Sequence, residues 1–300
     1  MSLWIPITLA AAFFQTLRFV LQKKLATTQL SAAGATFARF LYSAPLVAVL
    51  AYAYFQITGQ ERPPLTAAFW LYGAFGGLAQ VLATVCVVLL FKARNFAVGI
   101  TFKKTEVIQT VLVGWVLLGE GVSLPGFGAI ALGLFGVLLL SAPPDLVRWG
   151  LRDLANRAAG LGLLSGILFA VSGVCYRGAS LQLPLDDPLA RAGLTLACVT
   201  AMQLGGMAIW LRLREAGQMT AVWRARRVAV WIGLTSLLGS FCWFTAFTLQ
   251  NVAYVNALGQ VELIFSLMAT VLFFRERVSL REWVGMAVLG ASILTLVLVI

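Results

Sequence analysis

The chain has 300 residues, of which 61% are hydrophobic and 11% charged, and its formal net charge is +11; the mean hydropathy is +0.93. Soluble domains are roughly 45–50% apolar and about 25% charged, so a soluble globular domain, a disordered chain and a disulfide scaffold are excluded. The sequence contains no histidine, which excludes histidine-based catalysis, histidine metal sites and histidine pH switches.

Ten apolar segments follow one another along the chain, each close to the roughly 20 residues that a helix needs to cross a bilayer. Numbered as spans 1 to 10, they cover residues 3–22, 33–55, 67–90, 96–118, 123–141, 158–178, 189–211, 228–247, 251–273 and 281–299. The apolar runs are continuous and do not alternate, which favours helices over a membrane β-barrel. The sequence therefore predicts an all-α polytopic membrane protein with ten transmembrane helices.

A weak internal repeat relates the two halves of the chain. Residues 91–124 and 247–280 align without gaps at nine identities in 34 positions. Three polar pairs fall in register, namely Asn95/Asn251, Glu106/Glu262 and Glu120/Glu276. The repeat predicts two halves of five spans, residues 1–141 and 158–300, joined by a basic connecting loop at residues 142–157.

Basic residues are concentrated at alternate connections between the spans. The connections after even-numbered spans hold three of them, Arg62, Arg177 and Arg191. The connections after odd-numbered spans hold fifteen: Lys23, Lys24, Lys92, Arg94, Arg148, Arg152, Arg157, Arg212, Arg214, Arg224, Arg226, Arg227, Arg275, Arg277 and Arg281. Equivalent connections in the two halves thus differ in charge, which is typical of an inverted-topology repeat.

The same charge bias predicts the orientation. By the positive-inside rule, the connections after odd-numbered spans lie in the cytoplasm and both termini lie outside the cell (inner) membrane. The positive charge is therefore interpreted as a topology signal and not as a nucleic-acid footprint. The expected partners are the lipid bilayer and a small-molecule substrate, and both a monomer and a homodimer stay open.

Span 4 carries charges at an unusual depth. Glu106 lies about 16 Å along the span from Asn95, at about 1.5 Å per residue, near the middle of a roughly 30 Å hydrocarbon core. A charge there costs on the order of 2.5–3.5 kcal/mol, so Lys103 and Glu106 are expected to pair and to face a protein interior or a watery cavity. Lys104 lies on another side of the helix and can snorkel to the interface.

The repeat places Glu262 of span 9 opposite Glu106 of span 4. We expect spans 4 and 9 to surround a central cavity together with spans 1, 2, 6 and 7. The candidate substrate-binding residues are Lys103, Glu106, Glu262, Asn256, Gln260, Gln15, Arg18, Tyr254 and Trp243. Glu262 and Glu106 are also the candidates for a coupling proton, and Glu262 is favoured because no lysine occupies the aligned position before it.

Structural roles are the alternative for several of these residues. Lys103, Glu106 and Glu262 could form a buried ion network that only fixes helix packing. Arg18 and Arg39 fit a structural or snorkelling role equally well. Arg177 and Arg191 are expected to be solvated charges at loop ends. Glu120 and Glu276 are expected to accept hydrogen bonds from backbone N–H groups of the following helix.

Sequence motifs of enzymes are missing from the chain. It has no Walker sequence, GxSxG, HExxH or metal-ligand cluster. We therefore expect neither an enzyme nor a cofactor, and no metal site.

Each half contains a hydrophobic run followed by a glutamate and a new helix, in the segments 116–123 and 272–279. These segments resemble the end of each repeat in the drug/metabolite transporter superfamily, specifically in the EamA-type ten-helix transporters. The resemblance spans essentially the whole chain. It implies two five-helix halves and transport, since members export amino acids and other metabolites, and some exchange phosphorylated sugars or nucleotide sugars.

Span 4 also resembles the fourth helix of the plastid triose-phosphate translocators, where a lysine three residues before a glutamate binds phosphate; Lys103 matches that lysine. The Lys-Arg pair of their ninth helix is replaced here by 259–262, Gly-Gln-Val-Glu. We therefore expect a zwitterion, with Lys103 on a carboxylate and a glutamate on an ammonium group. The predicted function is secondary-active export of a small polar or amphipathic metabolite, such as an amino acid. The alternatives are a sugar-phosphate or nucleotide-sugar antiporter and a lipid-linked carrier or flippase.

The orientation is directly testable, because EamA-type transporters usually keep both termini in the cytoplasm. A reporter that is active only outside the inner membrane, fused to either end of the chain, is expected to give a signal at both termini. A matched reporter that is active only in the cytoplasm is the control. A cytoplasmic signal from both termini would contradict the predicted orientation.

Overall fold

A computed structural model describes residues 2–28, 30–91, 96–141, 157–265, 267–268 and 279–300, and every regular element within these ranges is a helix. The helices are α1 (Trp4–Thr28), α2 (Ala32–Thr58), α3 (Ala67–Phe91), α4 (Phe96–Lys103), α5 (Glu106–Leu118), α6 (Leu124–Ser141), α7 (Arg157–Leu181), α8 (Pro188–Arg214), α9 (Gln218–Arg224), α10 (Arg226–Leu249), α11 (Val252–Gly259) and α12 (Leu280–Val299). A further helical segment begins at Glu262. The predicted all-α class is confirmed for the described residues.

Seven of the described helices, α1, α2, α3, α7, α8, α10 and α12, are long and apolar enough to cross a membrane. Leu124–Leu140 and Val252–Phe265 are shorter apolar helices. The basic residues Lys92, Arg94, Arg148, Arg152, Arg275 and Arg277, together with Glu276 and nearly all of the connecting loop, lie outside the described residues.

Capping side chains fix where several helices begin. Ser31 precedes α2 and accepts a hydrogen bond from the Gly34 N–H at 2.9 Å. Asp187 precedes α8 and accepts from the Leu189 N–H at 2.9 Å, with Pro188 at the first helical position. Ser279 and Glu282 form a capping box at the start of α12. These side chains satisfy backbone donors that a helix leaves unpaired at its N-terminus.

Spans 4 and 9 each contain a break near the middle that the sequence did not predict, a turn in which i to i+3 hydrogen bonds replace the α-helical ones. A turn at Lys104 and Thr105 separates α4 from α5, and a turn at Gln260 and Val261 separates α11 from the segment beginning at Glu262. In the first break the Thr105 hydroxyl donates to the Phe102 carbonyl at 2.7 Å, a local bond that competes with the helical ladder.

Four helix pairs have the most extensive contacts: α1 with α10, α3 with α7, α2 with α8, and α6 with α12. The α2–α8 pair is antiparallel, because each helix start contacts the other helix end. The Ser31 hydroxyl donates to the Glu215 carboxylate at 2.5 Å, and the Gln60 amide donates to the Asp187 carboxylate at 3.1 Å. These two contacts lie at opposite ends of the bundle.

Small residues allow α6 and α12 to approach closely. A Cβ added at Gly136 would lie 2.8 Å from the Leu289 backbone nitrogen and 3.1 Å from the Gly285 carbonyl oxygen. The Ser292 hydroxyl donates to the Ala129 carbonyl at 2.7 Å across the same interface. Gly128 differs, because a Cβ there would meet nothing within 4 Å. Of these two glycines, only Gly136 lies at a close helix–helix contact.

The Gly136→Ala variant is expected to lower the thermal stability of the detergent-solubilised protein, because the added methyl group must displace backbone of α12. Overpacking of this kind costs typically about 1–3 kcal/mol. The matched control is Gly128→Ala, which places the same methyl group in open space on the same helix and is expected to leave the melting temperature unchanged or slightly higher. Equal destabilisation by both variants would contradict the described α6–α12 contact.

Candidate functional site

A polar cavity of about 60 Å³ lies between helices at the centre of the bundle. Its lining comes from α1, α2, α3, α7, α10 and α11 and from the break between α4 and α5. The volume is small, since a water molecule takes about 30 Å³ in the liquid. Of the nine candidate substrate-binding residues, the cavity wall contains Gln15, Arg18, Lys103, Glu106, Trp243 and Asn256.

Span 7 was expected to line the cavity, and this was wrong. Helix α8 contributes no lining residue, whereas α3 supplies Gln80 and α10 supplies a whole side of the wall. The reason is the placement of Tyr176, which lies between α8 and the cavity and accepts a hydrogen bond from the Gln203 amide of α8 at 3.2 Å. The Gln203 amide also donates to Gln80 at 2.9 Å.

Lys103 and Glu106 flank the break in span 4 and form an ion pair at 3.0 Å, with side-chain exposures of 5% and 11%. The Lys103 ammonium group also lies 5.1 Å from the centroid of the Phe169 ring, within range of a cation–π contact. Both residues line the cavity, as the helical spacing predicted. The turn between them brings the lysine at the end of α4 and the glutamate at the start of α5 to the same side.

Glu262 flanks the break in span 9 and is engaged by two residues from elsewhere. The Lys104 ammonium group forms an ion pair with one carboxylate oxygen, and the Gln15 amide donates to the other at 2.9 Å. Snorkelling of Lys104 was therefore wrong, because its side chain is only 4% exposed. No lysine occupies the aligned position before Glu262, but Lys104 from the other half of the chain pairs with this glutamate.

Two arginines in the cavity wall are buried as deeply as the lysines. Arg39 donates through Nε to the Ser236 hydroxyl at 2.6 Å and through Nη2 to the Ser240 hydroxyl at 2.9 Å. Its Nη1 is buried and has no hydrogen-bond acceptor among the described residues. Arg18 is 4% exposed and lies 4.4 Å from the centroid of the Phe19 ring. The guanidinium groups of Arg18 and Arg39 are therefore buried and do not snorkel to the membrane interface, so the snorkelling role expected for them was wrong.

Arg39 is a lining residue that the sequence did not assign to the site. Its signal was a basic residue within an apolar span, which by itself does not distinguish an interfacial side chain from a buried one.

Aromatic side chains form part of the cavity wall. They are Phe169, Tyr176, Trp243, Phe244 and Phe247. Tyr176 and Phe244 stack with centroids 4.3 Å apart, and Trp243 and Phe247 stack at 5.5 Å. The indole Nε1 of Trp243 is buried without an acceptor in the described part of the chain. The cavity wall thus contains both cationic and aromatic side chains.

Three candidate residues of α11 and the turn after it differ in whether they line the cavity. Asn256 lines the cavity and donates to the Thr110 hydroxyl at 3.0 Å, which joins α11 to α5. Gln260 does not line the cavity and instead donates to the Asn256 carbonyl at 3.3 Å. Tyr254 is also absent from the wall, because its hydroxyl accepts the Ser123 N–H at 2.9 Å at the start of α6. A direct substrate contact by Tyr254 is therefore not supported.

Arg177 joins three segments at one end of the cavity. Its Nε lies 2.8 Å from both Glu120 carboxylate oxygens, and its Nη1 donates to the carbonyls of Phe247 and Gln250 at 2.7 and 2.9 Å. The Arg177 side chain is 14% exposed, so the prediction of a solvated charge was wrong. Glu120 receives Arg177 in place of the backbone N–H groups expected for it.

The other predicted loop-end charge, Arg191, donates to the Leu185 carbonyl at the start of α8. Asp187 lies beside it, just outside the span. Burial disfavours the ionised carboxylate of Asp187, but hydrogen bonds from Tyr54, the Leu189 N–H and Gln60 outweigh burial and hold its pKa below the usual range. An ionised carboxylate therefore ties the start of α8 to the end of α2.

Comparison with solved structures supports this arrangement at the level of the fold. A crystal structure titled "Crystal structure of protein" superposes with a TM-score of 0.65 at 17% identity, covering 99% of this chain and 98% of the other. At that identity the similarity concerns the fold alone. No protein of curated function gives a significant match.

The sequence also matches a known family. Residues 156–298, which include α7 to α12, match the EamA-like transporter family. The apolar helices described above agree with a multi-pass membrane protein of that kind. This match assigns the second half of the chain to the EamA-like transporter family, part of the drug/metabolite transporter superfamily, and agrees with the resemblance of the sequence motifs.

Proposed function

We propose that this protein is a secondary-active transporter that moves a small polar or amphipathic metabolite through the central cavity by alternating access. The observation that carries the proposal is a buried cavity lined by Arg18, Arg39, Lys103 and Glu106 inside an otherwise apolar helical bundle. Ionisable side chains are costly within a membrane and mark substrate or ion pathways. Interrupted helices at mid-depth are the usual frame of such sites.

An inverted repeat of two five-span halves is part of the proposal, and the helix bounds support it. Phe96–Lys103 and Val252–Gly259 differ by 156 residues at both ends, and so do the helix starts at Glu106 and Glu262. The same offset exchanges the α1–α10 pair with the α7–α3 pair. The same offset relates the capping residues Ser31 of α2 and Asp187 of α8. Ser31 contacts Glu215 at the end of α8, and Asp187 contacts Gln60 after the end of α2.

Two apolar grooves are also related by the offset of 156 residues. One groove of about 280 Å³ is lined by Tyr54, Leu237 and Phe241 among others, and a second of about 450 Å³ is lined by their repeat equivalents Trp210, Val81 and Val85. A lipid-linked substrate would need polar groups at such openings. The walls of both grooves are almost entirely apolar, so they favour a metabolite transporter over a flippase.

Alternating access requires that the cavity be closed at one end at a time. The Arg177 cluster provides such a closure, since Phe247 lines the cavity and its carbonyl oxygen accepts a hydrogen bond from Arg177. A volume of about 60 Å³ is too small for an amino acid. We infer that the described state is contracted and that substrate enters after the helices separate. By the charge bias, the Arg177 end faces outward across the inner membrane.

A purely structural ion network is the competing interpretation of the buried charges. Ion pairs that only fix packing are expected to be saturated, because an unpaired buried charge is strongly destabilising. Lys103–Glu106 and Lys104–Glu262 fit that description. Arg18 and the Nη1 of Arg39 do not, because they face the cavity without a carboxylate partner among the described residues.

Counterflow in proteoliposomes tests transport. Vesicles loaded with unlabelled metabolites, drawn from amino acids, sugar phosphates and organic cations, are expected to accumulate the matching labelled compound only when they contain the protein. Replacing Lys103 with Gln is expected to reduce accumulation at least about tenfold, as removal of a charge-assisted contact does. The matched control is Lys23→Gln, which lies at a predicted connection. Absence of accumulation for every class would contradict the proposal.

Coupling to a proton is tested by the two buried glutamates. We expect Glu262→Gln to transport with a flattened pH dependence, because the amide cannot take up or release a proton. Glu106→Gln provides the comparison at the repeat-related position, and Glu61→Gln in the loop after α2 is the control. If transport by Glu262→Gln keeps the rate and pH dependence of the wild type, Glu262 is not the coupling group.

A further inference from the structure

The buried charges around the cavity do not balance. Four cations lie there, Arg18, Arg39, Lys103 and Lys104, whereas the carboxylates within the spans are Glu106 and Glu262. The other described acidic residues lie in loops or at helix ends, and Asp145, Asp153 and Glu276 lie outside the described residues. Among the described residues the cavity therefore carries two positive charges in excess.

The excess belongs to the arginines, because each lysine already has its own glutamate. Lys103 pairs with Glu106, and Lys104 pairs with Glu262. A guanidinium group does not lose its proton in proteins, so Arg18 and Arg39 cannot escape their burial by becoming neutral. Leaving two such charges uncompensated in a membrane interior is unfavourable, and a ligand of opposite charge would relieve that penalty.

Arg39 is held in a geometry suited to an anion. The hydroxyls of Ser236 and Ser240 fix Nε and Nη2, and the remaining Nη1 is buried without an acceptor among the described residues. Arg39 is 3% exposed and lines the cavity. Serine hydroxyls leave the positive charge intact, whereas a carboxylate in their place would neutralise it. The serines thus hold the Arg39 guanidinium in place without neutralising it, and the described residues supply no anion for it.

We infer that the substrate is an organic anion whose carboxylate or phosphate binds between Arg39 and Arg18. This names the substrate class and so rests on the proposed transport function. The zwitterion expected from the sequence fits less well, because each glutamate is already paired with a lysine, Glu106 with Lys103 and Glu262 with Lys104. The assignment adds Arg39, with Ser236 and Ser240, to the substrate-binding residues.

The aromatic residues of the cavity wall indicate the rest of the substrate. Trp243, Phe244 and Phe247 line the cavity, and the indole N–H of Trp243, which has no acceptor among the described residues, can donate one hydrogen bond to the ligand. Aromatic side chains favour planar or apolar bodies. The expected ligand is therefore amphipathic, with an anionic group at one end and an aromatic or apolar body at the other.

Four probes with the same phenyl ring and different charge test this assignment. They are phenyl phosphate, 3-phenylpropionate, L-phenylalanine and 2-phenylethylamine, which are respectively a dianion, a monoanion, a zwitterion and a cation at neutral pH. Binding to the purified full-length protein is measured by calorimetry and by the rise in melting temperature. We expect the two anions to bind, the zwitterion to bind at least about tenfold more weakly, and the cation not to bind.

Ser236→Asp is the decisive variant, because it gives Arg39 a carboxylate without removing the arginine. The ligand-free variant is expected to be at least as stable as the wild type, while its affinity for 3-phenylpropionate falls about 10- to 100-fold. Ser236→Asn has the same size without the charge and is the matched control, with a smaller loss. Arg39→Gln is expected to lose binding as well, and Arg62→Gln in the loop after α2 is expected to bind like the wild type.

The outcomes separate the two levels of the proposal. Equal affinity for L-phenylalanine and 3-phenylpropionate, or undiminished anion binding by Ser236→Asp, overturns the anion site. Anion binding that depends on Arg39 but is not accompanied by counterflow of labelled 3-phenylpropionate supports the anion site and overturns the proposed transport. Counterflow of amino acids without any binding of the anions overturns the anion site and leaves transport intact.

Discussion

The arrangement of this protein depends on one constraint, that a charge placed within a membrane must find an opposite charge, a hydrogen-bond partner or a cavity. Lys104 meets the constraint through Glu262, and Arg177 meets it through Glu120 and backbone carbonyls. These contacts join segments far apart in sequence. The buried charges therefore determine which helices meet at the centre, and the small residues between α6 and α12 allow the apolar remainder to close around them.

The sequence predicted those features that depend on spacing along one helix. The Lys103–Glu106 pair follows from an i, i+3 separation, and the all-helical class follows from the length of the apolar runs. Contacts between helices could not be read in this way. The partner of Lys104 lies 158 positions away, and neither charge pattern nor periodicity selects it. The breaks in spans 4 and 9 were also missed, because no proline marks either of them.

In the proposed repeat, equivalent positions of the two halves carry different side chains. The residue just before the break is Lys103 in span 4 and Gly259 in span 9. A Cβ at Gly259 would lie 2.4 Å from the Trp243 ring, so the missing side chain makes room for an aromatic wall where its counterpart supplies a cation. Arg39 likewise corresponds to Thr195 under the same offset. In the proposed transport cycle, the two related halves allow the cavity to open at either end. Because the side chains differ between the halves, the bound molecule keeps a single orientation.

Helix α10 contacts both Arg39 of the proposed anion site and Arg177 at the end of the cavity. Ser236, Ser240 and Phe247 lie on one face of it, at separations of four and seven residues. The serines hold Arg39, whereas the Phe247 carbonyl is held by Arg177 about 16 Å further along the helix, at about 1.5 Å per residue. A helix transmits displacement along its length as a rigid element, so an anion that shifts Arg39 against the serines also strains the contacts at the Arg177 end. In the proposed mechanism, the buried cation that binds the substrate and the ion pair that closes the cavity act on the same helix, which couples binding at one end to opening at the other.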